Sequence, residues 1–339
     1  MENYTVTGRI GEGAHGQVLK GIQLKTRREV ALKKVLLKKL DEGIPNSVIR
    51  EIKTLQEVDC KFVMKLLDYF PHGVGFVLVF DMMPSGLWEM IHDVEHPVTE
   101  PQIKTYMHML LSGVDYLHTH NIMHRDLKPA NLLVSSEGVL HIADLGLGRV
   151  VCPGRPYTHQ VATRWYRAPE LLYGARHYTG AVDLWAVGCI IAEMYNKSPL
   201  FPGESDIEQL ALVIRGLGTP SWRGITSLPD YNKISFPAAR PQPWDCLLPD
   251  VEPQTVLIVS SLVTHDPASR LTARQALQHS YFHSRPFPCP AGEMPCPPQD
   301  HRQRLKLGEL RVDKPPSELF SDLDTLVNDE QYLRSITKC

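Results

Sequence analysis

The sequence predicts an α+β protein in two lobes, a small β-rich lobe followed by a larger helical one. Two observations carry this. From Tyr4 to Phe80 the chain holds short β-branched runs separated by glycine and charged turns, and after Asp81 its apolar spacing turns helical. A block of strands followed by a block of helices, without alternation, is the α+β pattern. With 339 residues, 43% of them hydrophobic, the chain is long enough to bury a sizeable core.

In the first lobe, strands are expected at Tyr4 to Arg9, Gln17 to Leu24, Glu29 to Val35, Val63 to Phe70 and Phe76 to Phe80. They form a five-stranded sheet with Pro71-His72-Gly73 as its last turn. Pro45 opens a helix where a missing N–H costs nothing, and Val48, Ile49, Ile52 and Leu55 give that helix a partial apolar face. In the second lobe Thr99 with Gln102 forms a capping box before a long helix with Ile103, Tyr106, Leu110, Val114 and Leu117 at helical spacing. Ser205 with Glu208 and Thr272 with Gln275 repeat the capping signal. Val182 to Met194 is apolar nearly all round, as a central helix must be.

From Arg285 the composition shifts. Six prolines, Pro286, Pro288, Pro290, Pro295, Pro297 and Pro298, exclude helices and central strands. A basic patch (Arg302, Arg304, Lys306) and an acidic segment from Glu318 to Glu330 follow. Residues 4–283 therefore read as one domain, with a first lobe over about 4–80, a junction at 81–86 and a second lobe at 87–283. Residues 284–339 read as a tail, extended at first and then forming one docking helix. Its basic patch is either a solvated surface or a partner contact.

The 36 basic and 38 acidic residues leave a formal charge of -2, which favours neither nucleic acid nor a membrane surface as partner. Seven scattered cysteines without a CxxC suit reduced thiols in cytoplasm or nucleus. Met1-Glu2-Asn3-Tyr4 has no basic and apolar leader, and no apolar run approaches the roughly 20 residues that cross a bilayer. Cys339 stands last, whereas a prenylation box needs its cysteine fourth from the end.

The chemistry concentrates at His124-Arg125-Asp126-Leu127-Lys128-Pro129-Ala130-Asn131, followed by Asp144-Leu145-Gly146. That set suits a hydroxyl aligned against a metal-bound polyphosphate. Asp126 can accept the hydroxyl proton, Lys128 can offset charge on the migrating group, and Asn131 with Asp144 can bind divalent metal. Gly11-Glu12-Gly13-Ala14-His15-Gly16-Gln17-Val18 lies between two strands, where glycine lets backbone amides approach phosphate oxygens; alone, an ordinary hairpin turn is the better reading. Because a strand and not a helix follows it, a dinucleotide fold is disfavoured. Val30-Ala31-Leu32-Lys33 offers a strand lysine, and Glu51 on the next helix can hold it against phosphates. The alternatives are a snorkelling surface lysine and a surface ion pair.

The run from His124, with these three signatures in order, resembles the catalytic core of protein kinases. The segments Pro45 to Glu51, Tyr157-Thr158-His159, Trp165 to Glu170 and the insert around Ser221 to Pro253 are similar to cyclin-dependent kinases. The glycine-rich loop, Pro71-His72-Gly73, Gln160 to Arg164 and Leu171 to Arg176 look closest to the cell-cycle-related branch. The resemblance implies the bilobal eukaryotic protein kinase fold and transfer of phosphate from ATP, with Mg2+, to protein Ser/Thr-Pro sites. It implies Ile10, Val18, Ala31 and Leu133 as adenine walls, Phe80 as gatekeeper, and backbone bonds at Asp81 and Met83. It further implies an activating phosphorylation of Thr158 by an upstream kinase, with Arg50, Arg125 and Arg149 gathering the phosphate. A cyclin or cyclin-like activator would dock at the Glu51 helix. The role implied is in cell-cycle or ciliary control, in cytoplasm, nucleus and cilium.

The resemblance also pairs Glu170 with Arg270 and has Asp183 hold the catalytic loop. His124 then buttresses the Asp144 segment, while His118-Thr119-His120 has too few partners for metal. Ala14-His15 stand where the family has Thr-Tyr, Leu145 replaces the usual phenylalanine, and Gly86 replaces an aspartate that contacts ribose. The activation loop lacks the Thr-x-Tyr of MAP kinases. Two rivals stay open: a non-catalytic scaffold, suggested by Leu145 and Gly86, and a phosphotransferase acting on small molecules.

Overall fold

The computed structural model describes residues 2–13, 16–36, 46–73, 75–151, 156–298 and 301. Its first lobe comprises β1 (Tyr4–Gly13), β2 (Gly16–Gln23), β3 (Glu29–Leu36), α1 (Asn46–Glu57), β4 (Asp68–His72) and β5 (Gly75–Asp81), with the sheet ordered β1-β2-β3-β5-β4. Every neighbouring pair is antiparallel. The register sets Val18 opposite Lys33, Lys33 opposite Leu78 and Ala31 opposite Phe80, so these five side chains share one face. The opposite face carries its own small core of Tyr4, Leu19, Val30, Leu32, Val77 and Val79.

One expected strand is shorter than its apolar run suggests. Residues 63–67 leave the sheet: Val63 forms a parallel bridge with Ile142 of the second lobe, and Met64 N–H donates to Ile142 O at 2.8 Å. Only Leu67, donating to Val79 O at 2.8 Å, leads into β4. Val63 and Met64 are buried either way, so hydrophobicity did not discriminate between the two backbone partners. Pro71 sits within β4, which is tolerated because β4 is an edge strand. On α1, Ile49, Ile52 and Leu55 are buried as expected, while Pro45 and the Val48 side chain lie outside the described residues.

The second lobe continues with β6 (Ser85–Gly86), α2 (Leu87–His92), α3 (Glu100–Thr119), β7 (Ile122–Met123), β8 (Leu132–Val134), β9 (Leu140–Ile142) and β10 (Arg149–Val150). Helices α4 (Pro169–Leu172), α5 (Ala181–Asn196), α6 (Asp206–Leu217), α7 (Trp244–Leu247), α8 (Pro253–Leu262) and α9 (Ala273–Leu277) follow. Two small sheets, β6-β8-β9 and β10-β7, flank the junction of the lobes. Every residue from Val182 to Met194 is buried, so α5 is the central helix its composition requires. The α3 box holds, with Thr99 N–H donating to Gln102 Oε1 at 2.9 Å. At α9 the box is reciprocal: Gln275 N–H donates to Thr272 Oγ1 and Thr272 N–H to Gln275 Oε1. At α6 it is half made: Glu208 N–H donates to Ser205 Oγ at 3.1 Å, but the Glu208 carboxylate turns to Glu204 N–H.

Residues 284–298 form neither strand nor α-helix, with one 3-10 turn at Ala291–Glu293, and they lie as a strap on α3. Lys104 Nζ donates to Ser284 O at 3.3 Å, Thr105 Oγ1 to Cys289 O at 2.9 Å and Gln102 Nε2 to Glu293 O at 3.0 Å. Met294 enters the main core. Gly138, with φ +73°, faces it in the β8–β9 turn; a Cβ there would stand 2.7 Å from Met294 Cβ, so only glycine permits this approach. The basic patch and the acidic segment lie outside the described residues. Among the described residues, no helix is long and apolar enough to cross a membrane.

Candidate active site

The loop after β7 turns sharply into a 3-10 turn at Pro129–Asn131, and two of its neighbours hold unusual backbone. Arg125 (φ +67°) and Asp144 (φ +64°) both lie in the left-handed region, strain of the kind that surrounding contacts must impose. Asp183, at the start of α5, supplies them at Arg125. Its Oδ1 accepts from Arg125 N–H at 2.8 Å, and its Oδ2 from His124 N–H at 2.9 Å and His118 Nε2 at 2.8 Å. His118 is thus committed to Asp183, a partner not legible from the His118-Thr119-His120 run. The His124 ring reaches across to Ala143 O at 2.9 Å, beside Asp144.

Burial alone pushes the Asp183 carboxyl up, yet the hydrogen bond and charge of His118, with His124 and Arg125 N–H, hold it below the ordinary carboxylate range. A carboxyl more acidic folded than unfolded stabilises the fold above its unfolded pKa of about 3.9, and that contribution is lost as pH falls through the lower folded value. Asp183→Asn is therefore expected to cost roughly 1–3 kcal/mol at neutral pH and to flatten the acid limb of stability. Urea midpoints measured from pH 7 down to about 2.5 check this; an unchanged acid slope would refute it.

Asp126 is buried, and both oxygens of its carboxylate are hydrogen-bonded. Oδ1 accepts from Thr163 N–H at 2.8 Å and Thr163 Oγ1 at 2.9 Å. Oδ2 accepts from Lys128 Nζ at 2.8 Å and Asn131 Nδ2 at 3.0 Å. Lys128 Nζ also donates to Thr163 Oγ1 at 2.7 Å. Because Asn131 gives its amide hydrogens to Asp126 O and Oδ2, its Oδ1 is left for a cation. Lys33 Nζ, on the cleft face of β3, lies 2.7 Å from Asp144 Oδ1. Oxygen donors at Asn131 and Asp144 fit a hard divalent ion such as Mg2+.

Around this cluster Ile10, Gly11, Gln17, Val18, Ala31, Phe80, Asp81 and Leu133 are half-buried and Met83 is buried. Gly86 stands opposite Leu133 in the β6–β8 pairing, which brings the lobe junction against the lower wall. The Asp81 side chain faces away to a salt bridge with Arg28, consistent with only its backbone serving a ligand. Ala14 and His15, and the side chains of Glu12, Gly13, Gly16, Arg50 and Glu51, lie outside the described residues, so the expected Lys33–Glu51 pair lies there too.

The family description "Protein kinase domain" matches residues 4–282. "Cyclin-dependent kinase 20" of Mus musculus is 53% identical over 331 residues, 94% of this chain and 96% of that protein. The protein of the same name from Danio rerio is 54% identical over 332 residues, 95% and 96% of the two chains. "Cyclin-dependent kinase D-1" of Arabidopsis thaliana is 41% identical over 295 residues, 85% of this chain and 73% of that one. This chain belongs to the cyclin-dependent protein kinases. Within them it belongs to the cell-cycle-related branch. It is a serine/threonine kinase with a β-sheet first lobe and a helical second lobe, acting with ATP and a divalent metal on protein substrates.

In this kinase the activation segment is tied to the catalytic loop by a residue the motifs did not single out. Arg125 Nη1 donates to Tyr178 OH at 3.0 Å, and Tyr178 OH donates to Thr158 O at 2.7 Å. Thr158 itself is exposed. Arg149, on β10, pairs with Met123 of β7, at the root of the same loop. Thr163 was equally silent in the sequence; its role as an Asp126 partner rests on a fold of the segment that no local pattern encodes. Ala162 has φ +66°, and Arg167 collects the carbonyls on both sides of its peptide, Nε donating to Val161 O and Nη2 to Ala162 O, each at 2.9 Å. Further on, Arg270 and Glu170 make two buried bonds of 2.7 Å.

Proposed function

We propose that this kinase transfers the γ-phosphoryl group of ATP, with Mg2+, to Ser or Thr followed by proline, under control of Thr158 phosphorylation and a cyclin-like partner. The observation that carries the proline preference is the double capture of Val161 O and Ala162 O by Arg167. With both carbonyls engaged, an N–H on the residue after the acceptor finds no acceptor here, and proline has none to satisfy. Leaving such a group unpaired costs about 1–3 kcal/mol, so a Ser-Pro peptide is expected to exceed its Ser-Ala counterpart roughly ten- to hundred-fold in kcat/KM. Equal rates would overturn the preference; no magnesium-dependent transfer to any protein or peptide would overturn the catalytic reading.

In this reading Asp126 orients the acceptor hydroxyl and takes its proton, and Lys128, bonded to both Asp126 and Thr163, offsets charge at the migrating group. Lys33 holds the phosphates with Glu51, and Asn131 with Asp144 holds the ion, which supplies charge neutralisation on the phosphate oxygens. Ile10, Val18, Ala31 and Leu133 wall the adenine, with Phe80 behind it and the Asp81 and Met83 backbone as its hydrogen-bonding edge. The glycine-rich residues Gly11 to Val18 cover the phosphates.

Phosphate on Thr158 would be gathered by Arg125, already one tyrosine away, with Arg149 and Arg50. An upstream kinase would add it. The name shared by the relatives, cyclin-dependent kinase, supports a cyclin-like activator on α1. Thr158→Ala is expected to lower kcat/KM with the partner present, and the size of the loss measures that control. A role in cell-cycle or ciliary signalling, in cytoplasm, nucleus or cilium, is part of the same proposal and rests on the branch resemblance.

A further inference from the structure

His301 is remote in sequence from the junction of the lobes, yet it sits against it. Its Nδ1 lies 2.8 Å from Ser85 Oγ, its Nε2 3.3 Å from Asp93 Oδ2, and its N–H donates to Pro298 O at 3.1 Å. Ser85 is fully buried. Because the Asp93 carboxylate only accepts, Nε2 carries the hydrogen there, and Nδ1 accepts from the Ser85 hydroxyl, whose alternative acceptor, Gly86 O, is more distant at 3.3 Å.

Ser85 and Asp93 bracket α2. That helix has six residues, Gly86 as an N-cap without any side-chain cap, and Asp93 as its C-cap. So short a helix does not hold itself in water. Asp93 is further fixed by accepting from Glu95 N–H at 2.9 Å and His96 N–H at 3.0 Å. The strap anchored by Met294 beside Gly138 and by its bonds to α3 delivers His301 to this place.

We infer that His301 is a positioning residue for the nucleotide: it staples both ends of α2 and thereby holds Ser85–Gly86 in register against Val134 and Leu133, beneath the adenine site. Glycine at 86 supplies neither a helix cap nor a ribose ligand, and the tail instead fixes the residues that flank the helix. His301 touches no nucleotide; it acts through Ser85. The inference rests on the proposed ATP site.

The test uses the full chain, comparing wild type with His301→Ala and His301→Gln. Four quantities are read: affinity for a fluorescent N-methylanthraniloyl ATP, the ATP KM, kcat, and amide hydrogen exchange across residues 85–93. For His301→Ala, affinity is expected to weaken and KM to rise by roughly three- to ten-fold, what one or two side-chain hydrogen bonds are worth. At saturating ATP, kcat should stay within about two-fold, and exchange should quicken at residues 87–93. His301→Gln, which keeps a donor and an acceptor on one planar group, should recover part of each. Unchanged affinity and exchange in His301→Ala would overturn the staple, as would a loss of kcat with faster exchange throughout both lobes. Should wild type fail to bind the analogue, the ATP reading falls, while exchange at 87–93 still decides whether His301 holds α2.

Discussion

Asp126→Asn is expected to lower phosphate transfer roughly 10²- to 10⁴-fold, the contribution of a positioned general base, while the protein stays folded. The side chain keeps its volume, and Oδ1 can go on accepting from Thr163 N–H and Oγ1. What changes is the other atom. An amide NH2 facing the Lys128 ammonium and the Asn131 amide sets donors against donors, and it cannot take a proton from an acceptor hydroxyl. The mismatch costs about 1–3 kcal/mol, far less than what unfolds a domain of this size. Transfer from radiolabelled ATP to a Ser-Pro peptide, together with circular dichroism on the same sample, checks both halves. Transfer within about three-fold of wild type would remove Asp126 from the chemistry.

The second large effect is on stability. Arg270→Ala is expected to cost about 3–5 kcal/mol, because it strands the Glu170 carboxylate in the core of the second lobe. Both partners are almost fully buried and joined by two 2.7 Å bonds. Arg270 also donates to Thr264 O and Ala181 O at 3.0 Å each, and its guanidinium lies 5.1 Å from the Trp185 ring centroid. Those contacts bind the end of the activation segment to α5 and to the turn before α9. Urea unfolding measures the loss. The double variant Glu170→Gln with Arg270→Met should be more stable than Arg270→Ala alone, since no uncompensated charge remains. A loss below about 1 kcal/mol would make this pair no better than an exposed one.

Much of the fold was legible from local pattern. The alternation in β3 put Ala31 and Lys33 on one face, and the helical spacing from Ile103 to Leu117 marked α3. The capping boxes at Thr99 and Thr272 placed helix starts to the residue, because a cap is a bond between neighbours three positions apart. The same reasoning overextended β4. Val63 and Met64 read as strand and are buried, but they spend their backbone bonds on Ile142 across the lobe junction.

For the site, the residue types in His124 to Asn131 and Asp144 pointed to the proposed chemistry, since few groups can accept a hydroxyl proton, offset phosphoryl charge and hold a divalent ion. Thr163, Tyr178 and His118 did not. A threonine, a tyrosine and a helix-end histidine have many uses, and only the path of the chain sets them against Asp126, Arg125 and Asp183.

Sequence by itself determined the lobes, the order of the chemistry and the family, because those rest on covalent spacing and on the reactivity of side chains. Tertiary structure decided which carbonyls Arg167 captures, which segment crosses between lobes, and that the proline-rich strap returns to seat His301 on Ser85 and Asp93. Those contacts join residues far apart in the chain. Their geometry follows from how the core packs, and no local periodicity records it.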